Sequence, residues 1–302
     1  MSLSAWIRAS RPLAHGNIAP PILLGQALAF AHTGRFAWEH AALAFGFGIV
    51  DHLFIVFSND VADVEADRLN AHPSWFSGGS RVLVEGQISV RALALASIAM
   101  GVLLLAGSGA AAWALDRPSL LGLAAAAVIL ALAYGFPPAR LAYRGYGELA
   151  QALGTGLVLP LVGYVAQAGE LGSAPFEALI PFVIFGFASN ILTALPDTEG
   201  DRAGGKRSWP VRRTEARARR DAVMLIGIGL VGVTQLGPAI DPRLAGLAVA
   251  PSALALLLAL RVSGKADSTV DRAACERFSA LGLAAITFAT LTISGAWFLE
   301  GR

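Results

Sequence analysis

Long apolar stretches recur along the whole chain and restrict its possible folds more than any other feature. Each stretch has about 20 residues, which lets a helix cross a hydrocarbon core roughly 30 Å thick. The composition agrees, because 55% of the 302 residues are hydrophobic and only 15% are charged, whereas soluble domains carry about 25% charged residues. The mean hydropathy is +0.61. The sequence therefore predicts an all-α polytopic membrane protein, with residues 1–302 in a single domain.

Turn signals between the apolar stretches divide them into nine predicted transmembrane helices. The predicted spans cover residues 13–32, 39–59, 88–114, 118–136, 147–169, 175–196, 221–240, 243–262 and 275–299. The first span follows two arginines, as the apolar core of a signal peptide would. It holds Asn17 and the pair Pro20-Pro21, which a plain apolar core does not, so we expect it to be retained.

The distribution of basic residues predicts the orientation of these spans. With the N-terminus in the cytoplasm, only four of the 23 basic residues fall outside: Arg35, Arg117, Arg243 and Arg302. Such a bias is what the positive-inside rule expects. We therefore expect a multi-pass protein of the inner (plasma) membrane, with a cytoplasmic N-terminus and an outer C-terminus. The net charge of +2 follows from the basic loops, so we expect a lipid bilayer and no nucleic acid as a partner.

An acidic sequence occurs twice. The first acidic phrase is DVEADR at residues 63–68, and the second acidic phrase is DTEGDR at residues 197–202. The first follows the second predicted span and the second follows the sixth. We therefore expect two tandem four-helix repeats, at about 13–136 and 147–262, with a ninth helix at about 275–299. Parallel repeats would bring the two phrases to face each other across one central cavity, on the cytoplasmic side.

Helical spacing aligns the aspartates of each phrase. If the second helix continues past its predicted end, one face presents Asn59, Asp60, Asp63 and Asp67, and Asp197 and Asp201 repeat the four-residue interval. Like charges so placed repel each other, and hard oxygen ligands suit Mg²⁺, which carboxylates usually hold together with substrate phosphates. We predict that these six residues bind Mg²⁺ ions that grip a diphosphate from both sides. Glu65 and Glu199 fall two residues off this face, so we expect them to be solvated.

These residues resemble the two motifs of the UbiA-type superfamily of intramembrane prenyltransferases. Asn59, Asp60, Asp63 and Asp67 match its NDxxDxxxD motif, and Asp197 and Asp201 match its DxxxD motif. The stretch DTEGDRAGGKRSWPVR (197–212) resembles the dihydroxynaphthoate prenyltransferase branch, and YGFPPARLAYRGYGE (134–148) resembles the loop after the family's fourth helix. The resemblance implies nine helices around a laterally opening cavity, Mg²⁺, a polyprenyl diphosphate donor and usually an aromatic acceptor. FSGGSRVLVEGQIS (76–89) replaces an element typical of hydroxybenzoate-type members, which argues against hydroxybenzoate and haem as acceptors. The same stretch resembles several branches of the family, so the acceptor stays open among them.

The expected reaction transfers the polyprenyl group within the membrane and releases diphosphate. We assign catalysis to Asp60, Asp63, Asp197, Asp201 and Lys206. Basic residues on the inside loops either bind the diphosphate or pair with lipid headgroups; the candidates are Arg81, Arg140, Arg144 and Lys206. Polar residues inside spans are functional candidates because burying them costs free energy. Asn17, Tyr134 and Asn190 are expected to line the acceptor pocket, or else to bond neighbouring helices.

Two other functions fit parts of the same pattern. A terpene cyclase of the same superfamily would share the aspartates but would use no acceptor. A transporter would also have tandem repeats and inside-facing carboxylates, but it predicts acidic residues near the bilayer midplane, whereas most here lie at span ends. The residues do not fix the prenyl chain length or the oligomeric state.

Overall fold

The computed structural model describes residues 2–70, 79–267 and 269–300, and all regular structure within these ranges is helical. The first part of the chain forms α1 (Leu3–Ala9), α2 (Ala19–Thr33), α3 (Trp38–Ala62), α4 (Val64–Leu69), α5 (Val90–Ala114), α6 (Ser119–Gly135), α7 (Leu141–Arg144) and α8 (Gly147–Leu153). The second part forms α9 (Leu159–Ala168), α10 (Ile180–Ala194), α11 (Thr198–Ala203), α12 (Trp209–Arg213), α13 (Glu215–Gln235), α14 (Pro242–Ser263) and α15 (Arg272–Glu300). One π-helical turn, Gly154–Val158, joins α8 to α9.

Six helical stretches in the described ranges are long and apolar enough to cross a membrane: Trp38–Ala62, Val90–Ala114, Gly147–Ala168, Phe176–Ala203, Pro242–Ser263 and Arg272–Glu300. Helix α6 is apolar but has only 17 residues.

The first predicted span is shorter than expected, because residues 12–17 form a 3₁₀ turn and α2 begins only at Ala19. Pro20 and Pro21 fit in the first turn of α2, where the missing N–H groups have no partner in the helix. The seventh predicted span corresponds to α13, which begins with several charged residues. The protein is therefore an integral membrane protein of helices, and the count of nine spans stays a prediction.

The loops between the helices meet at two opposite ends of the bundle. At one end, α4 packs against α11, and the backbone N–H of Arg207 donates to the carbonyl oxygen of Ala142 at 3.0 Å. At the other end, the side-chain amide of Gln167 donates to the carbonyl oxygen of Ala37 at 3.0 Å. Both acidic phrases lie at the first end.

Glycines bring the backbones of α2 and α9 together in the middle of the bundle. A side chain at Gly25 would overlap with the carbonyl group of Pro160, and one at Gly163 would overlap with the carbonyl oxygen of Ile22. Small residues allow such close approach between helices in a membrane, where dispersion forces rather than the hydrophobic effect hold helices together. Helix α2 also packs on α15, so the first long helix of the chain contacts the last.

Gly25→Ala is expected to lower the thermal midpoint of the purified protein in detergent by several degrees. The added methyl group meets backbone atoms that cannot rotate away, and overpacking of this kind costs about 1–3 kcal/mol. Gly122→Ala in α6 is the matched control, because a side chain there meets no atom within 4 Å. Equal midpoints for the two variants would contradict the close contact of α2 with α9.

Candidate active site

Asp63 and Asp197 occupy equivalent backbone positions in the two acidic phrases. Asp63 separates α3 from α4 with φ −102° and ψ 6°. Asp197 ends a short 3₁₀ turn before α11, with φ −103° and ψ 13°. Each aspartate therefore lies at a break between a long helix and a short one, and the two phrases share backbone geometry as well as sequence.

The helix that carries the first motif is broken at Asp63 rather than continuous. The four-residue spacing survives the break, because the N–H of Asp63 donates to the carbonyl oxygen of Asn59 at 2.9 Å and that of Asp67 to Asp63 at 2.8 Å. Glu65 and Glu199 are exposed, which confirms the prediction that they lie away from the aspartate face.

One glycine in the second phrase and one just after it allow the two phrases to lie side by side. A side chain at Gly200 would come within 2.5 Å of the Asn70 side chain, and one at Gly204 would come within 2.5 Å of the Cβ of Ala66. Larger residues at 200 and 204 would therefore separate α11 from α4.

A cavity of about 290 Å³ runs from the acidic phrases into the bundle. The sequence-predicted residues that line it are Asn17, Asn59, Asp63, Asp67, Tyr134, Asn190, Asp197, Asp201 and Lys206. Four predicted residues do not line it: Asp60, Arg81, Arg140 and Arg144. Sequence reasoning assigned no site role to several further polar residues in its wall, among them Arg11, Asn70, Gln151 and Ser208.

Lys206 links the two acidic phrases. Its Nζ lies 2.8 Å from Oδ2 of Asp63 and 3.8 Å from Oδ1 of Asp201. Burial lowers the pKa of Lys206, but the two carboxylates outweigh burial and hold that pKa well above its ordinary value. The ammonium group is therefore charged at neutral pH. The hydroxyl of Tyr143 donates to the other oxygen of Asp63 at 2.9 Å, so both oxygens of this carboxylate have partners.

Asp67 packs closely against Gly79. A side chain at Gly79 would overlap with the Asp67 carboxylate, and Gly79 has a φ of +80°, a value that favours glycine. Burial raises the pKa of Asp67 to about 6, although the positive charge of Lys206 opposes the shift. A cation bound beside Asp67 would favour its ionised form.

Asp60 binds an arginine from the N-terminal segment instead of facing the cavity. Its carboxylate, 3% exposed, accepts hydrogen bonds from the guanidinium of Arg11 and the hydroxyl of Ser80. Arg11 itself lines the cavity. The structure thus adds the cation of Arg11 to the site. In the sequence, this arginine bore only on the first span and its orientation.

The other predicted basic residues have different surroundings. The guanidinium of Arg81 donates to the carbonyl oxygens of Asp67 at 2.8 Å and Asn70 at 3.2 Å, and so binds the C-terminal end of α4. The guanidinium of Arg140 lies 3.8 Å from the centre of the Tyr143 ring. Arg140 and Arg144 are both exposed.

Glu148, in the first turn of α8, connects that helix to α12, which follows the loop that carries Lys206. It is 1% exposed and accepts hydrogen bonds from the backbone N–H of Trp209 at 2.5 Å and from the guanidinium of Arg212 at 3.0 Å. The two family-like stretches, residues 134–148 and 197–212, therefore pack against each other. This contact fixes the segment that follows Lys206.

Three polar side chains form a network in the cavity wall. The side-chain amide of Asn190 donates to Oε1 of Gln151 at 2.8 Å and lies 3.5 Å from the hydroxyl of Tyr134. Asn190 therefore has partners on two other helices, and it lines the same cavity as the aspartates.

The donor set fits Mg²⁺ in its chemistry. Five of the six predicted ligands line one cavity, and each can supply an oxygen ligand: Asn59, Asp63, Asp67, Asp197 and Asp201. Among the described residues, no three acidic, histidine or cysteine side chains are grouped closely enough to hold a metal by themselves. This arrangement suits a cation that takes one or two carboxylates from each phrase and completes its shell with phosphate oxygens and water.

Comparison with known proteins shows what the chain is similar to. It is 28% identical over 237 residues to the 2-carboxy-1,4-naphthoquinone phytyltransferase of a Synechocystis species, covering 77% of this chain and 73% of that protein. A UbiA homologue from Archaeoglobus fulgidus, solved with DMAPP and Mg²⁺, superposes with a TM-score of 0.69 at 22% identity, over 96% of this chain and 99% of that chain. A UbiA homologue from Aeropyrum pernix superposes with a TM-score of 0.66 at 20% identity, over 95% and 98%.

The structural neighbours support the fold, and the match to a family model assigns the chain to a protein family. The model of the UbiA prenyltransferase family matches residues 18–297, which include both acidic phrases and all the long helices except the last three residues of α15. The resemblance expected from the two aspartate motifs is confirmed. The chain belongs to the UbiA prenyltransferase family.

Proposed function

We propose that this protein transfers a polyprenyl group from a polyprenyl diphosphate to an aromatic acceptor of the quinone-precursor type, with Mg²⁺ and inside the membrane. The observation that carries the proposal is the convergence of both acidic phrases and two cations, Lys206 and Arg11, on one cavity. Five acidic or amide ligands for a divalent cation and two basic groups for phosphate oxygens together match a metal-bound diphosphate.

The positions of the residues that line the cavity indicate the course of the proposed reaction. Bound Mg²⁺ would neutralise the diphosphate and so favour its departure. Lys206 and Arg11 donate hydrogen bonds to phosphate oxygens as the allylic C–O bond breaks and its electron pair leaves with the diphosphate. Carbon 1 of the prenyl group then forms a bond to an electron-rich ring carbon of the acceptor, which releases a proton or a carboxylate as CO₂.

The cavity wall protects the allylic cation from water. Away from the acidic phrases it is lined by apolar side chains that include Ile18, Ile55, Leu130, Val158 and Leu159, and a dry site limits hydrolysis of a reactive cation. The ring of Tyr134 lies in the same wall and is suited to stabilise positive charge with its face. Asn17 and Asn190 supply polar contacts for the acceptor.

Several finer assignments belong to the same proposal. Arg81, Arg140 and Arg144 lie on loops next to the acidic phrases, and we assign them diphosphate contacts that form when the donor binds. Asp60 is assigned an indirect role, because it binds Arg11, which lines the cavity. This role is in addition to the catalytic and metal-binding role expected from its place in the NDxxDxxxD motif. With α2, α6 and α13 counted as spans, the helices make nine crossings of the inner membrane in two tandem repeats and a ninth helix. The acidic phrases then lie on the cytoplasmic side.

Two comparisons support the substrate classes. The name of the Synechocystis relative specifies a naphthoquinone carboxylate acceptor and a phytyl group, which favours a bicyclic quinone precursor here. The Archaeoglobus homologue was solved with DMAPP and with GPP, in each case with Mg²⁺. A terpene cyclase is the second candidate, since it would use the same donor and metal. Membership of a prenyltransferase family gives no support to a transporter.

Asp63→Asn is expected to reduce formation of prenylated product by on the order of 100-fold or more, because it removes the carboxylate charge that binds the metal and pairs with Lys206. Glu65→Gln is the matched control in the same phrase, since Glu65 is exposed and pairs only with Arg68 among the described residues. The assay incubates membranes with Mg²⁺, labelled geranylgeranyl diphosphate and a panel of acceptors. Product that needs an acceptor supports the transferase, and cyclised hydrocarbon without any acceptor supports the cyclase.

Lys206→Met is expected to lower kcat/KM for the diphosphate donor by about 10- to 100-fold, the value of one charge-assisted hydrogen bond. The same change at Lys265, which is exposed and outside the cavity, should leave kcat/KM unchanged. An equal loss in the two variants would show that general charge, rather than contact with the donor, is responsible.

A further inference from the structure

A carboxyl group is buried in the middle of a membrane-spanning helix, away from both acidic phrases. Asp51 is the fourteenth of the 25 residues of α3, and it is 1% exposed. Its Oδ1 atom accepts no hydrogen bond from the described residues. A polar group in such a position costs free energy unless something binds it, and natural proteins retain this cost mainly at functional sites.

Asp51 lines the same cavity as the predicted metal ligands, but at a deeper level. It precedes Asn59 by two helical turns, or roughly 12 Å along the axis of α3. Ile55, one helical turn after Asp51 on the same face of α3, also lines the cavity, as do the apolar residues Ile18 and Val158. Asp51 therefore adds a hydrogen-bond acceptor to a cavity wall that also carries apolar side chains.

The neighbouring titratable groups already have other partners. Nε2 of His52 lies 2.6 Å from the carbonyl oxygen of Ser10. The ring of His15 packs edge-on against His52, with 5.1 Å between ring centres. Neither histidine forms a hydrogen bond or ion pair with Asp51 among the contacts of the described residues. The carboxyl group is thus free to bind a ligand in the cavity.

The chemistry of the two substrates decides which of them Asp51 can bind. The prenyl chain is a hydrocarbon without a hydrogen-bond donor, and the diphosphate is an anion that a carboxylate repels. A reduced quinone precursor carries ring hydroxyl groups, which donate hydrogen bonds well, and a hydroxyl on the side of the ring away from its carboxylate can bind Asp51 without bringing two anions together. The level of Asp51, below a diphosphate held at the acidic phrases, leaves room for the reacting carbon and an aromatic ring between them.

We propose that Asp51 accepts a hydrogen bond from a ring hydroxyl of the aromatic acceptor and so fixes which ring carbon faces the prenyl group. The assignment rests on the proposed function, since it needs an acceptor in the cavity. Asp51 is then a specificity residue, and its unpartnered state in the protein alone reflects a bond that forms only with substrate.

The test replaces Asp51 with leucine, which has nearly the same shape and suits an apolar wall, and with asparagine, which keeps one acceptor oxygen. Ser252→Ala is the matched control, because Ser252 is also fully buried, has an unpartnered Oγ and lies outside the cavity. The measurements are KM for 1,4-dihydroxy-2-naphthoate, KM for labelled geranylgeranyl diphosphate, kcat and the thermal midpoint.

Asp51→Leu is expected to raise the acceptor KM by about tenfold or more, the effect of one hydrogen bond to a charged group. The donor KM should change by less than about twofold, and the thermal midpoint should stay the same or rise, because an unpaired buried carboxyl is removed. Asp51→Asn should give a smaller rise in acceptor KM, and Ser252→Ala should change neither KM.

Three results would overturn the assignment. An unchanged acceptor KM in Asp51→Leu, with or without a fall in kcat, would show that Asp51 does not bind the acceptor. A lower thermal midpoint with both KM values raised would show a structural role. Wild-type protein that turns over the donor without any acceptor would contradict the proposed function itself, and this assignment with it.

Discussion

Repulsion between the carboxylates of the two acidic phrases is the constraint on which the rest of the site depends. The phrases lie side by side through α4 and α11, so their negative charges need nearby cations. Lys206 supplies one between Asp63 and Asp201, and Arg272 lies 3.8 Å from Asp197. Arg11 pairs with Asp60, three residues before the first phrase. Under the proposed function, Mg²⁺ and the diphosphate enter an acidic cluster that basic side chains keep assembled while substrate is absent.

The fold provides this cluster through a few close contacts. Gly200 and Gly204 let α11 approach α4, and Glu148 ties the Lys206 loop to α8 through Trp209 and Arg212. The cavity then continues among apolar helices, so the same bundle that needs a membrane also keeps water from the reacting carbon. Charge at one end and an apolar interior behind it are together what an intramembrane prenyl transfer requires.

Local sequence patterns predicted the local features of the site. Helical phase separated the aspartates from Glu65 and Glu199, which are exposed. The break at Asp63 was not predictable, because nothing in the residues around it ends a helix. Arg11, Tyr143 and Glu148 were missed for a different reason: their contacts join residues 49, 80 and 61 positions apart. Such contacts follow from helix packing and leave no periodic signal in the chain.

A structure of this protein with Mg²⁺ and a non-hydrolysable analogue of geranylgeranyl diphosphate tests most directly whether a metal-bound diphosphate is held between the two acidic phrases. We expect metal density between the diphosphate and carboxylates of both phrases, Asp63 or Asp67 on one side and Asp197 or Asp201 on the other. We also expect Lys206 and Arg11 to contact the phosphate oxygens and the prenyl chain to follow the apolar wall. Metal bound by one phrase alone, or a diphosphate outside the cavity, would contradict the proposed mechanism.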